Sequence, residues 1–317
     1  MSPDTAKPGE TTMKLGRRTF LQIAGATGTV ALVSLPGRAS GASGVHVAGE
    51  DESSVLVDTT RCVGCRGCEA ACAEANKLPD PPVDVDAFAA MRTTGPECFT
   101  VVNRTEKGDG TARFVKRQCM HCVEPACASA CPVRALDKQA TGPVAYDGTK
   151  CMGCRYCMVA CPFSVPKYQY ASPLPLVRKC TFCAGRQAEG KLPACVGVCP
   201  SGALTYGTRG RLVEEARRRV FGTPDKYLPH IYGEREAGGT NWMYITDVPF
   251  EKLGFEVAVN DASYPRLVRG ALGVPPVVMT LWPPLLMGLW AFSHREGKGK
   301  SHGTDHGAGK ADRGNHG

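Results

Sequence analysis

The chain has 317 residues, 21% charged and 43% hydrophobic, so it can bury a core and is not wholly disordered. A mean hydropathy of −0.18 excludes a polytopic membrane protein, and 37 Gly with 24 Pro in no three-residue period exclude collagen. The formal charge of +8 lies largely at the ends, +3 over residues 1–42 and +2 over 294–317, and no basic run interleaved with aromatics suits nucleic acid. The outlying number is 17 Cys, in a chain too long to need disulfides in place of a core. Cysteine in that number points to metal chemistry.

In chain order, Gly16-Arg17-Arg18-Thr19-Phe20-Leu21-Gln22 precedes a mildly apolar stretch over 23–35, then Arg38-Ala39-Ser40-Gly41-Ala42. Paired arginines before a weakly hydrophobic Gly/Ala/Thr run resemble a twin-arginine export signal over 1–42. A basic amphipathic helix is the competing reading, and Gly25, Gly28 and Pro36 are poor residues for it. The twin-arginine route exports proteins already folded around cofactors, which suits a metal protein.

Sixteen cysteines then fall into four groups. The first is Cys62-x2-Cys65-x2-Cys68-x3-Cys72. A hairpin is expected next, with strands over 99–104 and 113–117 joined through Lys107-Gly108-Asp109-Gly110. The second group is Cys119-x2-Cys122-x4-Cys127-x3-Cys131-Pro132. After a short strand at Val144-Ala145-Tyr146 comes the third, Cys151-x2-Cys154-x2-Cys157-x3-Cys161-Pro162. The fourth is Cys180-x2-Cys183-x11-Cys195-x3-Cys199-Pro200. Cys98 is left over as a passive thiol beside the hairpin.

The third group has the bacterial ferredoxin spacing, in which three cysteines hold one 4Fe–4S cluster and the fourth serves a neighbouring cluster. A short loop converges three sulfurs on three irons, and the last Cys points away before Pro fixes the exit. Groups that lend their last cysteine must come in pairs, so four groups imply two ferredoxin-like modules and four clusters. Zinc would use two separated pairs, as only the fourth group offers. Disulfides suit an exported protein but not cysteines three apart in tight loops. Redox-active C-x-x-C does not explain triplets.

An internal repeat supports duplication: Cys131-Pro132-Val133-Arg134-Ala135-Leu136 echoes Cys199-Pro200-Ser201-Gly202-Ala203-Leu204. Each reads as a turn running into a strand, Leu204-Thr205-Tyr206 in the second case. Beyond it, Leu212, Val213, Ala216 and Val220 line one face of a short helix, with Arg217, Arg218 and Arg219 mostly solvated. His121, inside the second group, is expected to pack or hydrogen-bond near sulfur and not to ligate metal. Residues 271–292 carry no charge and would span about 33 Å as a helix, enough to cross a bilayer. Pro275, Pro276, Pro283 and Pro284 weaken that helix, and a buried hairpin or interfacial segment is the alternative. The Gly/His/Lys-rich end, 296–317, reads as a disordered tail. No phosphate loop, C-x-x-C-H haem site or nucleophile elbow is present. The chain has the parts of an electron wire and none of a substrate site.

With these motifs in view, the chain resembles the four-cluster ferredoxin subunits of membrane-bound oxidoreductases, and is most similar to the ferredoxin-like subunit of hydrogenase-2-type nickel–iron hydrogenases. The resemblance is carried by Lys116-Arg117-Gln118-Cys119-Met120-His121-Cys122, Cys154-Arg155-Tyr156-Cys157-Met158-Val159-Ala160-Cys161-Pro162-Phe163 and Pro229-His230-Ile231-Tyr232-Gly233-Glu234. Gly238-Gly239-Thr240 and Val248-Pro249-Phe250-Glu251 add to it, while Ala73 departs from the usual Pro after the first group. The resemblance implies an α+β fold of two pseudo-symmetric bacterial-ferredoxin-like modules with an inserted hairpin over 43–265, plus a transmembrane helix over 266–295. It pairs the first group with the fourth and the second with the third. The implied ligand sets are Cys62, Cys65, Cys68 and Cys199; Cys180, Cys183, Cys195 and Cys72; Cys119, Cys122, Cys127 and Cys161; and Cys151, Cys154, Cys157 and Cys131. The implied function is electron transfer, without catalysis, from a periplasmic hydrogenase's small and large subunits to quinone through an integral membrane subunit at the periplasmic face of the inner membrane. The same wiring for a molybdopterin enzyme, such as formate dehydrogenase or a sulfur-compound reductase, is the second expectation. A zinc- or disulfide-stabilised exported binding protein is a third, of another class.

Overall fold

The computed structural model describes residues 49–83 and 85–294; the expected leader and tail lie outside them. Strand β1 (Ser53–Asp58) leads through the first cysteine group into helix α1 (Gly67–Asn76), and a hairpin of β2 (Val101–Glu106) and β3 (Ala112–Arg117) follows. Short elements then alternate: α2 (Ala126–Ser129), β4 (Leu136–Lys138), β5 (Val144–Tyr146), α3 (Tyr156–Ala160), β6 (Lys167–Tyr168), β7 (Val177–Arg178), α4 (Ala184–Ala188) and α5 (Ala194–Gly197). The chain closes with β8 (Leu204–Thr208), α6 (Arg209–Gly222), β9 (Trp242–Ile245) and α7 (Tyr264–His294).

β1 is the centre of a three-stranded sheet, antiparallel to β8 and parallel to β9. Its alternation decides what each face covers. Leu56, with Met243 and Ile245 of β9, packs on Leu212, Val213, Ala216 and Val220 of α6. Val55 and Val57 point the other way, with Leu204, Trp242 and Tyr244, onto Phe182 and Cys195. The sheet is therefore held by the helix on one side and roofs the cysteines on the other. Register matters to the site: Val57 opposite Leu204 sets the strand entering the first group beside the strand leaving the fourth. The β4–β5 ladder, with Leu136 opposite Tyr146, does the same for the exit of the second group and the entry to the third.

Local conformation repeats along the chain. Asp58 and Asp147 each cap a 3-10 turn just before a cysteine group, accepting from the backbone N–H two residues on. Gly64 and Gly153 then take φ of +72° and +74°, and Arg66 and Arg155 take +58° and +62°. A Cβ on Gly64 would lie 2.5 Å from the Phe114 ring, so this loop needs glycine for space as well as for φ. Three residues beyond the last cysteine of the second, third and fourth groups, Arg134, Ser164 and Gly202 are again left-handed.

Three expectations are corrected in detail. The hairpin's first strand begins at Val101, because Thr100 leaves the ladder and its hydroxyl donates to the Arg117 carbonyl (3.1 Å). Of Arg217, Arg218 and Arg219 on α6 only Arg218, beside Glu215, is exposed; Arg217 pairs with Glu234, and Arg219 pairs with Glu215 (2.6 Å) and lies 3.5 Å from Asp58. The apolar helix is longer than 271–292, starting at Tyr264 and running through all four prolines. It is long and apolar enough to cross a membrane. At its base Ser263 and Arg266 bond Glu124, the Arg266 Nε at 2.8 Å.

Candidate metal centres

Each cysteine group combines a loop with helix, a single short turn in the second and third, the longer α1 in the first and both α4 and α5 in the fourth, a geometry that aims closely spaced sulfurs inward. Cys62, Cys65 and Cys68 line one cavity with Cys199, from the far end of the fourth group; Val57, Lys116 and Leu204 close it. Cys151, Cys154 and Cys157 line a second cavity with Cys131, beneath Leu136, Tyr146 and Val177. The remaining two sets are more deeply enclosed. Cys122 is buried among Cys161, Cys119 and Cys127. Cys72 lies beside Cys195 and Cys183, and Cys180 beside Cys72. In each of the four sets, three sulfurs come from one group and the fourth from another.

Burial dominates the electrostatics of these thiols. It pushes Cys68, Cys72 and Cys127 up to about 12, and their cysteine neighbours push further in the same direction. Cys157 and Cys161 rise to about 11 for the same first reason, and Cys122 and Cys180 are also driven up. Thiolate, not thiol, binds metal, so loading these sites must expel protons and supply positive charge in their place. Polar hydrogens already point at several sulfurs: Phe182 N–H to Cys180 (3.3 Å), Ala135 N–H to Cys131 (3.2 Å) and the Asn76 amide to Cys72 (3.6 Å).

The donor set fits a 4Fe–4S cluster. All 17 cysteines are unpaired thiols. Among the described residues no three His, Cys, Asp or Glu side chains gather closely enough to hold a single metal ion. In a cubane each cysteine takes a different iron, so the sulfurs surround a cluster instead of meeting at a point. Such a cluster supplies one-electron transfer. The protein's part is to fix the four sulfurs, keep water from the inner sites and set the surrounding charge.

His121 behaves as a packed core residue. Its Nδ1 accepts from the Val144 N–H (3.0 Å), its ring lies 4.9 Å from Phe182, and burial, then Lys179 and Lys138, holds it well below the ordinary histidine range. It is a neutral imidazole. Cys98 is no part of any set; its Sγ contacts the Thr100 carbonyl (3.1 Å). Residues that spacing did not single out also border the sites. Buried Glu69 binds Arg66 and Arg92 (3.0 and 2.5 Å) and accepts from the Val102 N–H, tying α1 to the hairpin. Lys116 and Lys179 are buried among the cysteines. The cysteine spacing marked neither lysine, although one of the motifs carrying the family resemblance opens on Lys116.

Comparison with known proteins bears on what these sulfurs hold. Residues 110–209 match the 4Fe-4S dicluster domain family, a span containing the second, third and fourth groups. A protein of Nitratidesulfovibrio vulgaris is 49% identical over 290 residues, covering 90% of this chain and 78% of its own. The hydrogenase-2 operon protein HybA of Escherichia coli O157:H7 is 37% identical over 282 residues, 75% of this chain and 83% of its own. The formate dehydrogenase iron–sulfur subunit of Haemophilus influenzae is 32% identical over 254 residues, 74% of each chain. These relatives and the matched family support iron–sulfur clusters as what the grouped cysteines hold.

Proposed function

This chain belongs to the family of iron–sulfur electron-transfer subunits that includes HybA and the formate dehydrogenase iron–sulfur subunits, and on that premise we propose that it holds four 4Fe–4S clusters and relays electrons through them from a periplasmic nickel–iron hydrogenase to quinone via an integral membrane subunit. It is not the catalytic subunit. The observation that carries the reading is the exchange of terminal cysteines, with Cys199 among Cys62, Cys65 and Cys68, and Cys131 among Cys151, Cys154 and Cys157. The four ligand sets are those sets together with Cys72, Cys180, Cys183, Cys195 and Cys119, Cys122, Cys127, Cys161.

The sets form a file. Cys68 of the first neighbours Cys195, Cys180 of the second neighbours Cys119, and Cys127 of the third neighbours Cys157 of the fourth. Cys65 and Cys154, at the two ends, are exposed. Electrons enter near Cys65 and leave at the end of the file that lies by α7. Glu124, two residues past Cys122 of the third set, holds the base of that helix through Ser263 and Arg266, which favours an exit on the side of the third and fourth sets, beside the membrane. Arg17 and Arg18 support twin-arginine export of the body, 43–265, with a transmembrane helix over 266–295 and a cytoplasmic tail over 296–317.

A second reading, the same wiring for a molybdopterin enzyme, is favoured by the formate dehydrogenase relatives. Purification of the native complex through this chain separates the two. We expect nickel, hydrogen-dependent dye reduction and hydrogen-dependent quinone reduction. Molybdenum without nickel would replace hydrogenase with the second reading.

A further inference from the structure

Lys116 stands at the junction of the first and second cysteine sets. It lies on β3, 3% exposed, and its Nζ donates to Gln118 Oε1 (2.9 Å) and sits 4.5 Å above the Trp242 ring. Gln118 is itself fixed by donating to the Tyr244 hydroxyl (2.6 Å). Lys116 lines the cavity of Cys62, Cys65, Cys68 and Cys199, and its charge is felt as well by Cys72, Cys180 and Cys183 of the neighbouring set. Half-buried Lys138, by contrast, has Glu52 at 2.5 Å. Among the described residues no carboxylate pairs with Lys116. A buried ammonium without a counter-anion is strongly unfavourable, so the anion it answers must lie on the sulfur side.

We propose that Lys116 is the shared internal counter-cation of the two clusters it lies between, and that it raises the reduction potential of both. The proposal rests on the cysteine sets assigned above. A reduced cluster carries one more negative charge than an oxidised one, so a fixed positive charge beside it stabilises the reduced form more. The electron enters one cluster and leaves by the next, with no bond to Lys116 made or broken. Because the lysine is held by Gln118 and Trp242, its charge does not swing away as the electron passes. Two adjacent anionic clusters would otherwise oppose each other's reduction.

The test is a potentiometric titration of the intact complex, followed by paramagnetic resonance, for the wild type, Lys116→Met, Lys116→Gln and Lys116→Arg. In the neutral variants two of the four midpoints are expected to move to more negative potential. The move corresponds to at least a tenfold change in the reduced-to-oxidised ratio at fixed poise, about 59 mV for a one-electron couple. The other two midpoints should stay, and Lys116→Arg should resemble the wild type. Neutral variants with full iron and four unchanged midpoints would overturn the proposal. If both neutral variants lose iron, Lys116→Arg decides: retention of the clusters at wild-type potentials supports the charge, and loss of iron there too assigns Lys116 a packing role and overturns it. Wild-type protein without clusters would instead overturn the cysteine assignment, and this proposal with it.

Discussion

Cys72 is the most informative single residue, because sequence neighbours and spatial neighbours disagree about it. It follows Cys68 by four residues on α1, yet its sulfur lies beside Cys195 and Cys183. Four residues are just over one helical turn, so Cys72 stays on the same flank but sits about 6 Å further along α1, which carries its sulfur past the first set, and the Asn76 amide and buried Glu69 hold that helix in place. Replacing Cys72 with Ser should perturb the cluster on Cys180, Cys183 and Cys195 and leave the cluster on Cys62, Cys65 and Cys68 with its full ligand set. Resonance spectra recorded before and after the change check this; loss of only the latter cluster would contradict the exchange. The ligands were legible because their spacing is local. Which cysteine serves which site came from the family resemblance and not from the spacing, since Val57 and Leu204, whose pairing brings the first and fourth groups together, are far apart in sequence. Lys116 was illegible for a different reason. A lysine beside Val115 in an alternating strand reads as solvent-facing, and only the packing of the hairpin against the cysteine loops buries both sides of β3.

At the level of elements, α6 shows what periodicity conveys and what it omits. Leu212, Val213, Ala216 and Val220 recur at helical spacing and are the residues that cover Leu56, Met243 and Ile245. Leu212→Ala removes a side chain that is 1% exposed and leaves a cavity under the sheet, so it should cost about 2–5 kcal/mol. Arg218→Ala, on the solvated face, should cost little, as surface pairs generally do. Anaerobic denaturant unfolding of the loaded protein measures both; equal losses would mean that the sheet does not depend on this helix. The partners of Arg217 and Arg219 were not legible, because Glu234 and Asp58 reach them from other segments. α7 departs from sequence expectation in the opposite sense. Four prolines argued for a break, but each removes only one donor, and the element continues past them, where the Thr280 hydroxyl donates to the Pro276 carbonyl (2.9 Å).

Across the whole molecule, charge and placement act together. Residues 43–293 carry +3 on paper. An oxidised cubane with four thiolates contributes roughly −2, so four would bring the loaded body to roughly −5. A formally basic chain should then behave as an acidic body joined to a basic tail. All sixteen cysteines of the proposed sets lie before Tyr206, upstream of α7. Deleting 271–317 should therefore release a brown, cluster-loaded fragment that still accepts electrons for dye reduction and passes them poorly to quinone. Colourless fragment would mean that the tail helps the cluster body fold, and undiminished quinone reduction would make the helix a dispensable anchor.

The central claim is that sixteen cysteines hold four clusters by exchanging ligands. Iron, acid-labile sulfide and zinc, measured on anaerobically purified full-length protein, test it most directly. The account predicts about 16 iron and 16 sulfide per chain with negligible zinc, since each four-cysteine set holds one cubane. About half that iron, or zinc with little iron, would contradict it.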